Sequence, residues 1–178
     1  MVLTGLDRRR RILERTVSVD RPYVTENDAE RERLRSLVSR MSDEELSRPM
    51  PGGWTIAGVL AHIGLWDARA IFFLDKWGRG VAPSTADYVA EDPDAANESA
   101  KPLCLALPPR EAGQLSVQLA EEADAKVKAL TDELLAKIRA AGLSAPSDLH
   151  DENGSPFNLA RATHRREHLD EIERASRA

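Results

Sequence analysis

The chain has 178 residues, 42% of them hydrophobic and 31% charged, with a formal net charge of −5. Length and composition are those of one ordinary globular domain, and the acidic balance argues against a general nucleic-acid binder, which would carry a basic face. Aromatic residues are scarce at 4%, while Ala, Leu, Glu and Arg abound. Straight-chain residues lose little rotamer freedom in a helix, so this mixture favours helices over sheets.

The opening stretch MVLTGLDRRRRILERTVS has no apolar h-region, which speaks against a secretory leader. It predicts a short helix that Arg21-Pro22 stops, and the run Arg8 to Arg11 reads as a solvated face rather than a phosphate contact. Residues 1–24 are taken as an N-terminal extension and 25–178 as the domain proper. In TENDAERERLRSLVSRM, Thr25 is the expected N-cap, and Ala29, Leu34, Leu37, Val38 and Met41 recur at helical spacing. Ser42-Asp43-Glu44-Glu45 has the form of a capping box for a short helical turn that ends by Pro49.

After PMPGG, Thr55 is expected to cap a strongly apolar helix reaching about Trp77. Ile56, Val59, Leu60, Ile63, Trp66, Ala70, Phe73 and Leu74 form one broad stripe, wide enough for a helix packed on several sides. Its most apolar part, IGLWDARAIFFL, is interrupted by Asp67 and Arg69 and is too short to span a bilayer. A soluble cytoplasmic protein with no membrane partner is therefore expected. Gly78 to Pro108 shows no sustained period and reads as a long crossover. A long helix is predicted from Pro109 to Gly142, then the loop LSAPSDLHDENG, then a last helix opened by Ser155-Pro156 and running to about Ser176. The fold class is thus all-α, a four-helix bundle with a long crossover between helices 2 and 3.

THRREHLDEI, residues 163–172, carries two of the chain's four histidines. His164 and His168 are four apart, so they share one helix face, with Cβ atoms roughly 5–6 Å apart. Ala160 and Ile172 extend the same row with apolar ends, so the pair points at the core rather than at solvent. Two imidazoles so spaced can share an ion, and neutral imidazole suits Zn, Ni, Cu or Fe. His62, on the apolar face of the second helix beside Val59, Ile63 and Trp66, is the candidate third ligand. Three protein ligands leave a position open, the arrangement of a reactive site rather than a closed structural one.

GGWTIAGVLAHIGLWDAR followed much later by THRREHLDEIERA resembles the DinB/YfiT-like four-helix bundle superfamily: a Trp near the start of the second helix, a His followed by an aromatic-acidic pair, and His-x3-His on the last helix. The resemblance implies a divalent metal, zinc or nickel, held by His62, His164 and His168. It further implies a homodimer and a small-molecule substrate. Related members are thiol-dependent transferases and isomerases that use mycothiol, bacillithiol or glutathione, so a low-molecular-weight thiol is the implied co-substrate. Two other readings stay open: a non-catalytic protein that sequesters a small molecule in the same pocket, and a metal-free structural dimer with core histidines.

Several residues carry a second reading. HRREH fits H-x-x-E-H, which would make Glu167 a general base in peptide hydrolysis, yet a small bundle offers no strand or cleft for a peptide. Glu167 is expected to pair with a neighbouring arginine instead. Asp67 either orients a ligand or forms an ion pair, and its offset of five from His62 favours the ion pair. His150 reads as an exposed loop residue, with a fourth-ligand role as the alternative. Cys104, the only cysteine, reads as a small buried residue. Trp54 is placed at a pocket mouth, and Trp66 and Trp77 in the core or a dimer contact.

Overall fold

The structure, a computed structural model, describes residues 21–84, 87, 92–141 and 158–177. The Arg8–Arg11 run, the expected N-terminal helix, His150, Gly142 and Ser155-Pro156 lie outside the described residues.

Helix α1 spans Pro22–Arg40 and starts three residues before the expected Thr25 cap. Pro22 occupies the first turn, where its missing N–H costs nothing and its fixed φ favours the helix. Tyr23, Asn27, Leu34, Leu37 and Val38 form its buried face. The capping box is present: the Ser42 hydroxyl accepts from the Glu45 N–H, and the Glu45 carboxylate accepts from the Ser42 N–H, opening the four-residue α2 (Asp43–Leu46).

Two two-residue strands follow, β1 (Pro49–Met50) and β2 (Trp54–Thr55), paired antiparallel with Pro49 opposite Thr55. The turn between them needs φ of 71° at Gly52 and 74° at Gly53, the left-handed region that side chains disfavour. This hairpin reverses the chain at the head of α3 (Ile56–Gly78), where the Thr55 hydroxyl accepts from the Gly58 N–H at 3.0 Å. Helix α3 is buried on nearly all sides. It is long and apolar enough to cross a membrane, but 72% of its most apolar window is covered by the rest of the fold, so packing already uses that surface.

The predicted structureless crossover is partly helical: α4 spans Pro93–Ala106. Asp92 caps it by accepting from the Ala95 N–H at 2.9 Å. Pro102 inside the helix and a thin apolar pattern hide it from the sequence. Trp66 Nε1 donates to Asn97 Oδ1 at 3.0 Å and ties α4 to α3, and Cys104 is buried beneath it. The long helix expected from Pro109 is two helices, α5 (Pro109–Ala129) and α6 (Asp132–Ala140). Leu130 turns extended, and the Thr131 hydroxyl starts α6 by accepting from the Leu134 N–H. The last helix, α7, spans Ala162–Arg177, so its start lies beyond residues 158–161, which are not helical.

The four long helices close a ring of contacts. Helix α3 packs on α5 and α7, and α1 packs on the same two. Helix α3 comes close to the α5 backbone at Gly64, where an added Cβ would stand 3.3 Å from the Ser116 Cα, a backbone atom that cannot yield cheaply.

At the middle of this all-α fold lies a charged network rather than hydrocarbon alone. Arg161 and Arg165 are both 0% exposed. Arg161 Nε donates to Asp67 Oδ1 at 2.8 Å, and Arg165 reaches both Asp67 oxygens at 3.1 Å. The same Arg165 donates to Asp124 at 3.0 Å, which also accepts from Arg31 at 2.8 Å. Asn27 completes the cluster: its Nδ2 donates to the Leu159 carbonyl at 2.8 Å, and its Oδ1 accepts the Ala162 N–H at 2.9 Å, capping α7 from α1. Arg161 and Arg165 thus both point inward, although they lie off the row of Ala160, His164, His168 and Ile172. Removing one partner of such a network strands the other as a bare buried charge. Asp67→Asn is expected to destabilise the metal-free protein by about 3–5 kcal/mol, measured by urea denaturation. Asp170→Asn, at an exposed pair with Arg33, is expected to change it by less than about 1 kcal/mol.

Candidate metal centre

The helix α3 brings His62 in on its buried face, in the second turn after the Thr55 cap. The opposing wall is α7, whose first turn carries His164 and whose second carries His168. One ring nitrogen from each of the three lies within 4.8 Å of the others. The Nε2 atoms of His62 and His164 are 3.2 Å apart. Nitrogens sharing a tetrahedral ion at about 2.0–2.1 Å stand roughly 3.4 Å from each other, so the spacing suits one ion. The ring centroids of His168 lie 4.8 Å from that of His62 and 4.7 Å from that of His164.

The partners of the rings decide their proton positions. His168 Nδ1 lies 2.9 Å from Glu171 Oε2 one turn along α7, so Nδ1–H donates to the carboxylate and leaves the Nε2 lone pair free. His164 differs. Its Nδ1 is 3.2 Å from Arg161 Nη2, and a guanidinium can only donate. The neutral ring then carries its proton on Nε2 and presents it to Nε2 of His62. His62 Nδ1 is buried and has no hydrogen-bond partner among the described residues. The chain of contacts runs Asp67, Arg161, His164, His62. For Nε2 of His164 to ligate an ion as neutral imidazole, the proton has to move to Nδ1, and that nitrogen then gives up accepting from Arg161.

Burial pushes the His62 imidazolium down to about 3, helped by the charges of His168 and Arg161. Burial also holds His164 well below its ordinary value, with Arg161 as the next cause. Both rings are neutral at physiological pH, the state that metal ligation needs.

The His62 and His168 rings face a cleft of about 580 Å³. His62 and His168 form part of its floor, Met50, Trp54 and Val59 supply apolar walls, and Glu171 and Arg174 border it from α7. Trp54 meets His62 edge-on at 5.7 Å, and Trp66 flanks both His62 and His164 from inside. The β1–β2 turn forms the far rim through Pro51 and Gly52, held by the Lys101 ammonium, which donates to the Gly52 carbonyl at 2.6 Å.

The expected triad therefore assembles, with Trp54 on the cleft and Trp66 and Trp77 buried. Asp67 forms ion pairs, as its offset suggested, and reaches His164 only through Arg161. Glu167 is exposed, and its expected contact with an arginine is not seen among the described residues. Cys104 is buried, and burial pushes its thiol up, away from reactivity. Sequence reasoning missed Glu171 and Arg161. Both stand three residues from a ligand candidate on the same helical face, a spacing that was visible in R-A-T-H and H-L-D-E.

An all-α fold with three inward histidines on two helices defines a helical protein with a candidate metal site. A family model of the DinB superfamily matches residues 26–169, most of the chain, and the chain belongs to that superfamily. No curated protein and no solved structure matches it.

The neutral, buried rings set a pH dependence. In the unfolded chain His62 and His164 take up protons near pH 6.5, whereas in the folded chain they do not until far lower pH. The unfolded state thus binds more protons below that value, and stability is lost as pH falls. Each ring is expected to cost about 1.4 kcal/mol per pH unit between pH 6.5 and 5, read from denaturation midpoints of chelator-treated protein. His62→Gln should show a shallower slope over the same window.

Proposed function

We propose that the protein is a divalent-metal-dependent enzyme that joins a small thiol to an electrophile, or isomerises a thiol adduct, in the cleft above the three histidines. The observation that carries this reading is the convergence of the three imidazoles, two of which, His62 and His168, line the floor of a largely apolar cleft. The donor set fits zinc or nickel: three imidazole nitrogens, with His168 oriented by the Glu171 carboxylate and His62 Nε2 facing His164 Nε2 at 3.2 Å. When bound, such an ion would supply Lewis acidity, lowering the pKa of a thiol or water that reaches it.

The chain's own residues would do the rest. Glu171 holds His168 in the tautomer that frees Nε2, and Asp67 holds the Arg161 guanidinium beside the His164 ring. The walls of Trp54, Met50 and Val59 exclude water from the reacting groups, which strengthens every charge interaction inside. Three protein ligands leave coordination open for the reacting molecule rather than sealing the site.

Zinc or nickel added to untagged, chelator-treated protein is expected to bind as a single equivalent. At a hundredfold excess over Kd it should add about 2.7 kcal/mol to stability, which is about 5–10 °C in Tm. His168→Ala, at a half-buried position, should abolish that increase without unfolding the chain. A panel of low-molecular-weight thiols tested against model electrophiles should then show turnover that His168→Ala and His164→Ala both lack. No stoichiometric ion and no shift in Tm would remove the basis of the reading. Tight ligand binding without product would assign the site to sequestration.

A further inference from the structure

Four titratable side chains border the cleft: His62, His168, Glu171 and Arg174. The first two are ligand candidates, and the Glu171 carboxylate already accepts from His168 Nδ1 at 2.9 Å. Arg174 stands apart. Its Nε donates to the Asp170 carbonyl within its own helix, at 3.2 Å. Among the described residues no carboxylate lies within ion-pair distance of its guanidinium, although Glu171 is only one turn away. Three other arginines of α1 and α7 are paired with carboxylates: Arg33 with Asp170 and Glu173, Arg166 with Glu30, Arg40 with Glu173. The other cation near the cleft, Lys101, spends its ammonium on the Gly52 carbonyl and sits 5.2 Å over the Trp54 ring. The cleft therefore offers an apolar wall, an indole and one unneutralised guanidinium at its border.

We propose that Arg174 is a specificity-determining residue that pairs with a carboxylate of the substrate, so that the cleft takes small molecules with an apolar or aromatic body and one anionic group. This rests on the reading of the cleft as the substrate site given above. A guanidinium presents a planar fork of donors that matches a carboxylate. Trp54, Met50 and Val59 cover the apolar body, and Glu171 disfavours the carboxylate on the His168 side of the cleft. A cation held by the histidines would add to the same positive field.

The test uses 4-phenylbutanoate and its neutral counterpart 4-phenylbutanamide as probes, titrated into the full-length protein. Binding is followed by the tryptophan indole N–H resonances, once with chelator-treated protein and once with one equivalent of zinc. In the chelator-treated protein the acid is expected to bind about 5-fold tighter than the amide, as for a solvent-accessible ion pair. Arg174→Lys should keep the preference, Arg174→Gln should erase it, and Arg174→Glu should reverse it. Arg174 is exposed on the helix surface, and unchanged thermal melts would confirm that the variants fold.

Equal binding of acid and amide by the original chain overturns the proposal, as does a preference that survives Arg174→Gln. Failure of either probe to bind overturns it too. A preference that appears only with zinc and is indifferent to position 174 places the anion on the metal, which sinks this proposal and leaves the metal reading standing. Loss of the preference in Arg174→Gln, in a protein that takes up no zinc, supports the anion site and removes the metal reading.

Discussion

Arg165 is the side chain on which the rest of the structure depends. It is fully buried, and its guanidinium meets Asp67 of α3, Asp124 of α5 and the backbone carbonyls of Asn27 on α1 and Ala120 on α5. One residue of α7 thus touches all three of the other long helices. A buried cation is tolerated only when its donors are met, and here two carboxylates and two carbonyls meet them. Hydrocarbon packing is forgiving of small rotations of a helix. A guanidinium fork between two carboxylates is not, so the network sets how α7 is rotated about its own axis.

That rotation matters because His164 and His168 ride on the same helix. Arg161 and Arg165 point at Asp67, and this orientation presents the histidines to His62 across the gap. Arg161 adds a direct link, since it bridges Asp67 and His164. It also places a fixed positive charge beside the candidate cation site. Asn27 secures the entry to α7 by capping it from α1. The site is therefore built by the core's polar centre and not laid onto a finished core.

The cleft has a different origin. It lies between the start of α3 and the later turns of α7, and the β1–β2 hairpin, with two glycines in left-handed conformation, puts Met50, Gly52 and Trp54 along its wall. Lys101 of α4 braces that turn. So the helix hidden in the predicted crossover supports the wall of the candidate site, and the connection between α3 and α5 is more than a tether.

What the sequence determined by itself was what period and local chemistry encode. The helical stripe from Ile56 to Trp77, the Ser42–Glu45 capping box, the Thr55 cap and the inward row of Ala160, His164, His168 and Ile172 all depend on neighbours within one or two turns. Helix starts set by proline and breaks set by a single threonine were less legible: α1 begins at Pro22, the long third helix divides at Leu130-Thr131, and Pro102 masks α4. Only the tertiary structure decided what the charged residues do. Arg165 and Arg166 are adjacent in the chain and chemically identical, yet one is sealed among carboxylates and the other lies on the surface beside Glu30. Which charge is buried depends on the carboxylate that a distant helix brings to meet it, and no local pattern in this chain specifies that pairing.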